Sequence, residues 1–165
     1  MDPSGVVIPF EDGHVRQLPF ITQGPFEYSN YAVSFLKKAI EAAEELRLPS
    51  KYKFKQAVIS ASAMSLLYPS EEIVGYPREE FLNDVVRCAT KDIRLCLDAG
   101  AEIVQVDFTE GRLSLKLDGS GKLLNDLIAI NERVFSSFSD EDKLKIGIHV
   151  CPGADQDCCH RFVVM

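Results

Sequence analysis

Ile103-Val104-Gln105-Val106-Asp107 and Lys145-Ile146-Gly147-Ile148-His149-Val150-Cys151-Pro152-Gly153 share one pattern, in which apolar residues alternate with polar or small ones. Successive side chains on a strand point to opposite faces. Val104 and Val106 therefore oppose Gln105 and Asp107, while Ile146, Ile148 and Val150 oppose Gly147, His149 and Cys151. In both runs the polar face reaches its reactive side chains at the C-terminal end. A strand covered by helices on both sides, as in an open doubly wound sheet, is apolar all round. A polar inner face at the C-terminal ends of strands instead suits a barrel, which builds its site there.

The elements between these runs keep a strand–helix alternation. Leu18 to Thr22 reads as a first strand, closed by Gln23-Gly24-Pro25. Tyr31, Ala32, Phe35, Leu36, Ala39, Ile40 and Ala43 recur at helical spacing and predict a helix over about 30–46, stopped at Leu48-Pro49. Lys55 to Ser62 reads as a second strand with Val58, Ser60 and Ser62 on one face, followed by a short helix near 63–67. Pro77 before Arg78-Glu79-Glu80 marks a helix start, with acids in the first turn. From there Phe81, Leu82, Val85, Val86, Ala89, Ile93, Cys96 and Leu97 hold a stripe for about six turns, until Gly100. Arg112 to Leu117 alternates and predicts a small hairpin. Asp118-Gly119-Ser120-Gly121 opens another helix; it lacks the Gly-Lys-Ser/Thr ending of a phosphate loop. Ser139 is placed to cap a short helix over 140–143 before the final strand.

At 165 residues with 46% apolar side chains, the chain is long enough to bury a core. A net charge of −7 leaves no basic stripe to neutralise phosphates, which argues against nucleic acid as a partner. No apolar run reaches the ~18 residues of a membrane span, so no membrane partner is expected. Nor does the first stretch carry a signal-peptide pattern. The five cysteines (Cys88, Cys96, Cys151, Cys158, Cys159) form an odd set without framework spacing. That predicts reduced thiols and a cytoplasmic location.

His149 and Cys151 supply a nitrogen and a sulfur side by side, which reads either as a packed pair or as half a zinc site. Cys158, Cys159 and His160 could add ligands, but their order matches no standard finger spacing. His14 lies in a polar segment and reads as solvated. Zinc with a thiolate partner deprotonates a substrate thiol, and Asp107, on the same face of a neighbouring strand, is placed to hold a substrate ammonium group.

Gly24-Pro25-Phe26, Lys55-Gln56-Ala57-Val58-Ile59-Ser60, Gly75-Tyr76-Pro77-Arg78-Glu79, Asp98-Ala99-Gly100-Ala101, Val104-Gln105-Val106-Asp107 and His149-Val150-Cys151-Pro152-Gly153 together resemble the catalytic barrel of cobalamin-independent methionine synthases. The likeness is closer to the single-barrel methionine-synthase-like proteins. It implies a (β/α)8 barrel that moves a methyl group from 5-methyltetrahydrofolate to the zinc-bound thiolate of homocysteine. It also implies His149 and Cys151 as zinc ligands and Asp107 as a substrate-binding residue.

The departures shape the expectation. The family's other zinc ligands, a glutamate and a second cysteine, come from strands after the His-x-Cys strand, and none is found before Met165. Methionine synthases follow the aspartate with Glu-Pro, whereas Phe108-Thr109-Glu110 follows here, which bears on homocysteine as the acceptor. The expected organisation is an irregular segment over 1–17, an α/β partial TIM barrel of about four parallel strands over 18–160, and a non-matching tail over 161–165. The expected activity is thiol methylation with thiol and folate substrates. The alternative is a truncated, non-catalytic barrel fragment or interaction module. Its open sheet edges would be covered by a homo-oligomer or a complementing chain.

Overall fold

The computed structural model describes residues 7–9 and 15–151. Val7–Pro9 (β1) and Val15–Gln17 (β2) pair antiparallel, so the stretch expected to be irregular holds a small two-stranded ribbon. Pro9, which has no N–H to donate, sits at the last position of its strand. The predicted strand over 18–22 does not form. Phe20 makes only an isolated bridge, and the Ile21 N–H bonds to the Leu67 carbonyl, which ties this stretch to a loop. The Gly24–Pro25 bond is cis.

The remaining elements are Val33–Glu45 (α1), Lys55–Ile59 (β3), Ala61–Ser65 (α2), Arg78–Asp98 (α3), Ile103–Asp107 (β4), Glu110–Leu117 (α4), Lys122–Phe135 (α5), Asp140–Lys143 (α6) and Ile146–His149 (β5). β3, β4 and β5 form a three-stranded parallel sheet in that order. The described chain is thus α/β with three parallel strands, not four. Its strand–helix alternation is that of parallel βαβ units.

The predicted hairpin at 112–117 is a helix. Six residues of alternation do not distinguish a strand from a short helix, and here the i, i+4 pair Glu110 and Ser114 is buried on one face while Leu115 and Leu117 are exposed. The Ser114 hydroxyl donates to the Gly111 carbonyl one turn back (2.7 Å).

Ser139 caps its helix as expected, accepting from the Asp142 N–H. The strand expected to run to Ser62 stops at Ile59, because Ser60 accepts from the Ala63 N–H and opens α2. Asp118 caps the turn before α5 by accepting from the Ser120 and Leu123 N–H groups, with Gly121 at φ 77°. The Gly-rich turn is therefore a helix cap. α1 has no side-chain cap from its own segment. Asp92 of α3 reaches across and accepts the Ala32 N–H at 2.7 Å.

α3 is the keystone of the core. Phe81, Val85, Cys88, Ile93 and Cys96 are almost fully buried and pack with Val58, Val104 and Val106 of the sheet and with Val134 and Phe138. Each such apolar side chain contributes roughly 1.5–3 kcal/mol of burial. Cys88 and Cys96 form no disulfide. Burial pushes both thiols up, Cys96 to about 12, as befits packed small hydrophobes.

The two faces of the sheet differ. Parallel register places Val58, Val106 and Ile148 in one row, and Val104 beside Ile146 on the same side. That side carries the helix-packed core. On the other, Lys55, Ala57 and Ile59 are exposed while Gln105, Asp107 and His149 are half-buried.

Candidate functional site

The polar alternation read in two separate runs becomes one surface in the sheet. Ile59, Asp107 and His149 occupy equivalent positions at the C-terminal ends of β3, β4 and β5. Main-chain bonds lock this level: the Ser60 N–H donates to the Asp107 carbonyl (3.3 Å) and the Phe108 N–H to the His149 carbonyl (2.8 Å). One level lower, Ala57, Gln105 and Gly147 align, and two small residues leave the Gln105 side chain room to lie along the face. Asp107 and His149 are thus neighbours across parallel strands, with side chains on the same open face.

The Asp107 carboxylate is oriented from below. The Gln105 amide donates to Asp107 Oδ1 at 2.6 Å, and Lys55 Nζ donates to Gln105 Oε1 at 2.8 Å. This chain of donors runs from the start of β3 to the end of β4. It fixes one carboxylate oxygen and links a positive charge to the site through an amide.

β5 ends at His149, so Cys151 lies two residues on, half-buried in the exit loop and not in the strand. The pair offers an imidazole nitrogen and a thiol sulfur, a donor set zinc accepts. Among the described residues, no group of three or more His, Cys, Asp and Glu side chains gathers that could hold a metal ion. Cys158, Cys159, His160 and His14 lie outside the described residues.

A second polar cluster was not legible beforehand as a unit. The hydroxyls of Ser60 and Ser62 both donate to Glu110 Oε1. Ser62 also exchanges bonds with Asn131, accepting from Nδ2 at 2.7 Å and donating its N–H to Oδ1 at 3.2 Å. All four residues are buried. The serines were visible as small hydroxyls at a strand end; Glu110 was hidden because the helix it opens reads as a hairpin. Ser60 continues the helix-facing parity of Val58, so this cluster braces the end of β3 from behind and takes no part in the open face.

Among the described residues, no helix is long and apolar enough to cross a membrane. No protein family, curated protein or solved structure matches the chain.

Proposed function

We propose that the sheet is part of a (β/α)8 barrel wall of the cobalamin-independent methionine synthase type, and that its open face serves methyl transfer from 5-methyltetrahydrofolate to a thiol. The observation that supports this reading is the one-sided sheet. Helices cover the Val58–Val104–Val106 face, while Asp107 and His149 meet at the C-terminal ends on the other, as on the inner wall of a barrel.

His149 and Cys151 would hold the zinc. A bound zinc ion supplies deprotonation of the acceptor thiol, making a thiolate nucleophile at neutral pH. Asp107, held by Gln105, presents its second oxygen toward the acceptor and pairs with its ammonium group. Lys55 and Gln105 keep that carboxylate from swinging. A thiol amino acid such as homocysteine is the acceptor class this charge pattern fits.

Asp107→Asn tests the assignment. A lost charge-assisted hydrogen bond is worth about 1.5–3 kcal/mol, so KM for homocysteine should rise roughly tenfold or more. KM for 3-mercaptopropionate, which has no ammonium group, should hardly change. An equal loss for both acceptors would show that Asp107 does not read the ammonium.

A second reading, a non-catalytic interaction module, draws on a separate observation. Ile148 of β5 and the flanking Leu144 and Val150 are 59%, 83% and 51% exposed, so the helix-side face is apolar and uncovered at this edge of the sheet, beyond the packed Ile146. β3 and β5 both present unpaired outer edges in the described sheet, the surface on which another chain adds a strand.

A further inference from the structure

A groove of about 380 Å³ runs beside the outer edge of β3, lined by Phe26, Tyr28, Tyr31 and Phe35, by residues 56–59, and by Asp92 of α3. Its aromatic side is continuous: Phe26 meets Tyr28 edge-on at 5.7 Å between ring centroids, and Tyr28 lies 5.6 Å from Tyr31. The lining contains two carboxylates and no Lys, Arg or His.

Those two carboxylates differ. Glu27 is occupied, accepting from the Tyr31 hydroxyl and from Arg87 at 2.5 Å, with Lys91 at 3.9 Å. Asp92 is 4% exposed, and its one hydrogen bond among the described residues is from the Ala32 N–H to Oδ1. That bond caps α1 and needs a single oxygen. Burial, opposed only by that N–H, pushes the Asp92 carboxyl up, and no cation among the described residues forms an ion pair with it. Tyr28 contributes a second unmet group, since its Oη is buried with no hydrogen-bond partner among the described residues. Burial first, and the Asp92 charge second, hold the Tyr28 phenol well above its ordinary range, as a neutral hydroxyl able to accept a bond.

A buried carboxylate and a buried hydroxyl, neither met by a cation or donor side chain among the described residues, and a run of aromatic faces suit a ligand that is positive at one end and apolar along its body. The aromatic wall already attracts such a group from within the chain, because the Lys91 ammonium stands 4.5 Å from the Tyr31 ring centroid. We propose that this groove binds an alkylammonium group, its nitrogen on Asp92 and Tyr28 and its carbons against Tyr31 and Phe35. The groove shares Ala57 and Ile59 with the open face but includes neither Asp107 nor His149, and it needs no zinc.

The ammonium has two possible sources, a free amine or a lysyl side chain on an extended segment. Phe54 and Ser60 direct their main-chain groups to β4, so by alternation Ala57 and Ile59 direct theirs outward, where an extended segment would pair in place of the Gln56 amide that donates to the Ala57 carbonyl at 2.8 Å.

Titrating the full chain with n-pentylammonium and with n-pentanol, followed by the aromatic NMR resonances, tests the proposal. Saturable shifts of the Tyr31 and Phe35 signals are expected with the ammonium, and binding of the neutral alcohol roughly tenfold weaker or less. Asp92→Asn keeps an oxygen for the Ala32 N–H and should weaken the ammonium by about tenfold. If that variant does not fold, Tyr28→Phe decides, with an expected loss of about threefold or more. Equal binding of alcohol and ammonium, wild-type affinity in the folded variant tested, or no saturable shift overturns the proposal. A lysine-containing pentapeptide that binds much more tightly than the free amine, and than its norleucine counterpart, identifies an extended chain as the source; equal affinity of peptide and amine identifies a small amine.

Discussion

Asp84 shows how single contacts decide the acid behaviour of this chain. Burial works to raise its carboxyl, yet the Tyr76 hydroxyl at 2.6 Å, Arg87 at 3.0 Å and the Phe26 N–H at 3.1 Å hold it below the usual carboxylate range. A carboxyl depressed in the folded state contributes stability that is present above its unfolded value, near pH 4, and is lost as pH falls through the folded value. Urea midpoints measured from pH 6 down to pH 2.5 should therefore fall below about pH 4. Asp84→Asn should flatten that fall while lowering the midpoint at pH 6, and an unchanged acid slope would remove Asp84 from the account. None of this was readable beforehand, because Phe26, Tyr76 and Arg87 stand 58, 8 and 3 residues away from Asp84. The same holds for Asp92, which in the chain is one more polar position on the α3 stripe.

At the scale of elements, legibility followed period and length. α3 runs over 21 residues with its start at Pro77 and its end before Gly100, and both were set by residues visible in the chain. β4 spans the five residues whose alternation predicted it. Shorter runs failed for physical reasons: six residues at 112–117 fit either period, and 18–22 lost its strand because its backbone found a partner in the Leu67 carbonyl. The ring of Tyr76 replaces that strand as an organiser of this region. A Cβ on Gly24 would fall within that ring, while the Tyr76 hydroxyl accepts the Phe26 N–H at 2.8 Å. Gly24→Ala should thus cost about 1–3 kcal/mol by overpacking. Chemical denaturation checks it, and a wild-type midpoint would mean that the segment moves off the Tyr76 ring without cost.

For the whole molecule, the one-sided sheet is what supports the proposed function. Half of the candidate face was legible, since parity alone put Asp107 with Gln105 and His149 with Gly147. That the two runs are adjacent, and in register at Asp107 and His149, required the sheet. The Lys55–Gln105–Asp107 chain also lay beyond the sequence, since its first link spans 50 residues. The proposed methyl transfer depends on a zinc site at His149 and Cys151. Elemental analysis of the purified chain beside Cys151→Ser tests it most directly. Near-stoichiometric zinc in the parent, lost in a variant that still folds, is the expected result. A folded parent without zinc, or a variant that keeps it, would contradict the claim.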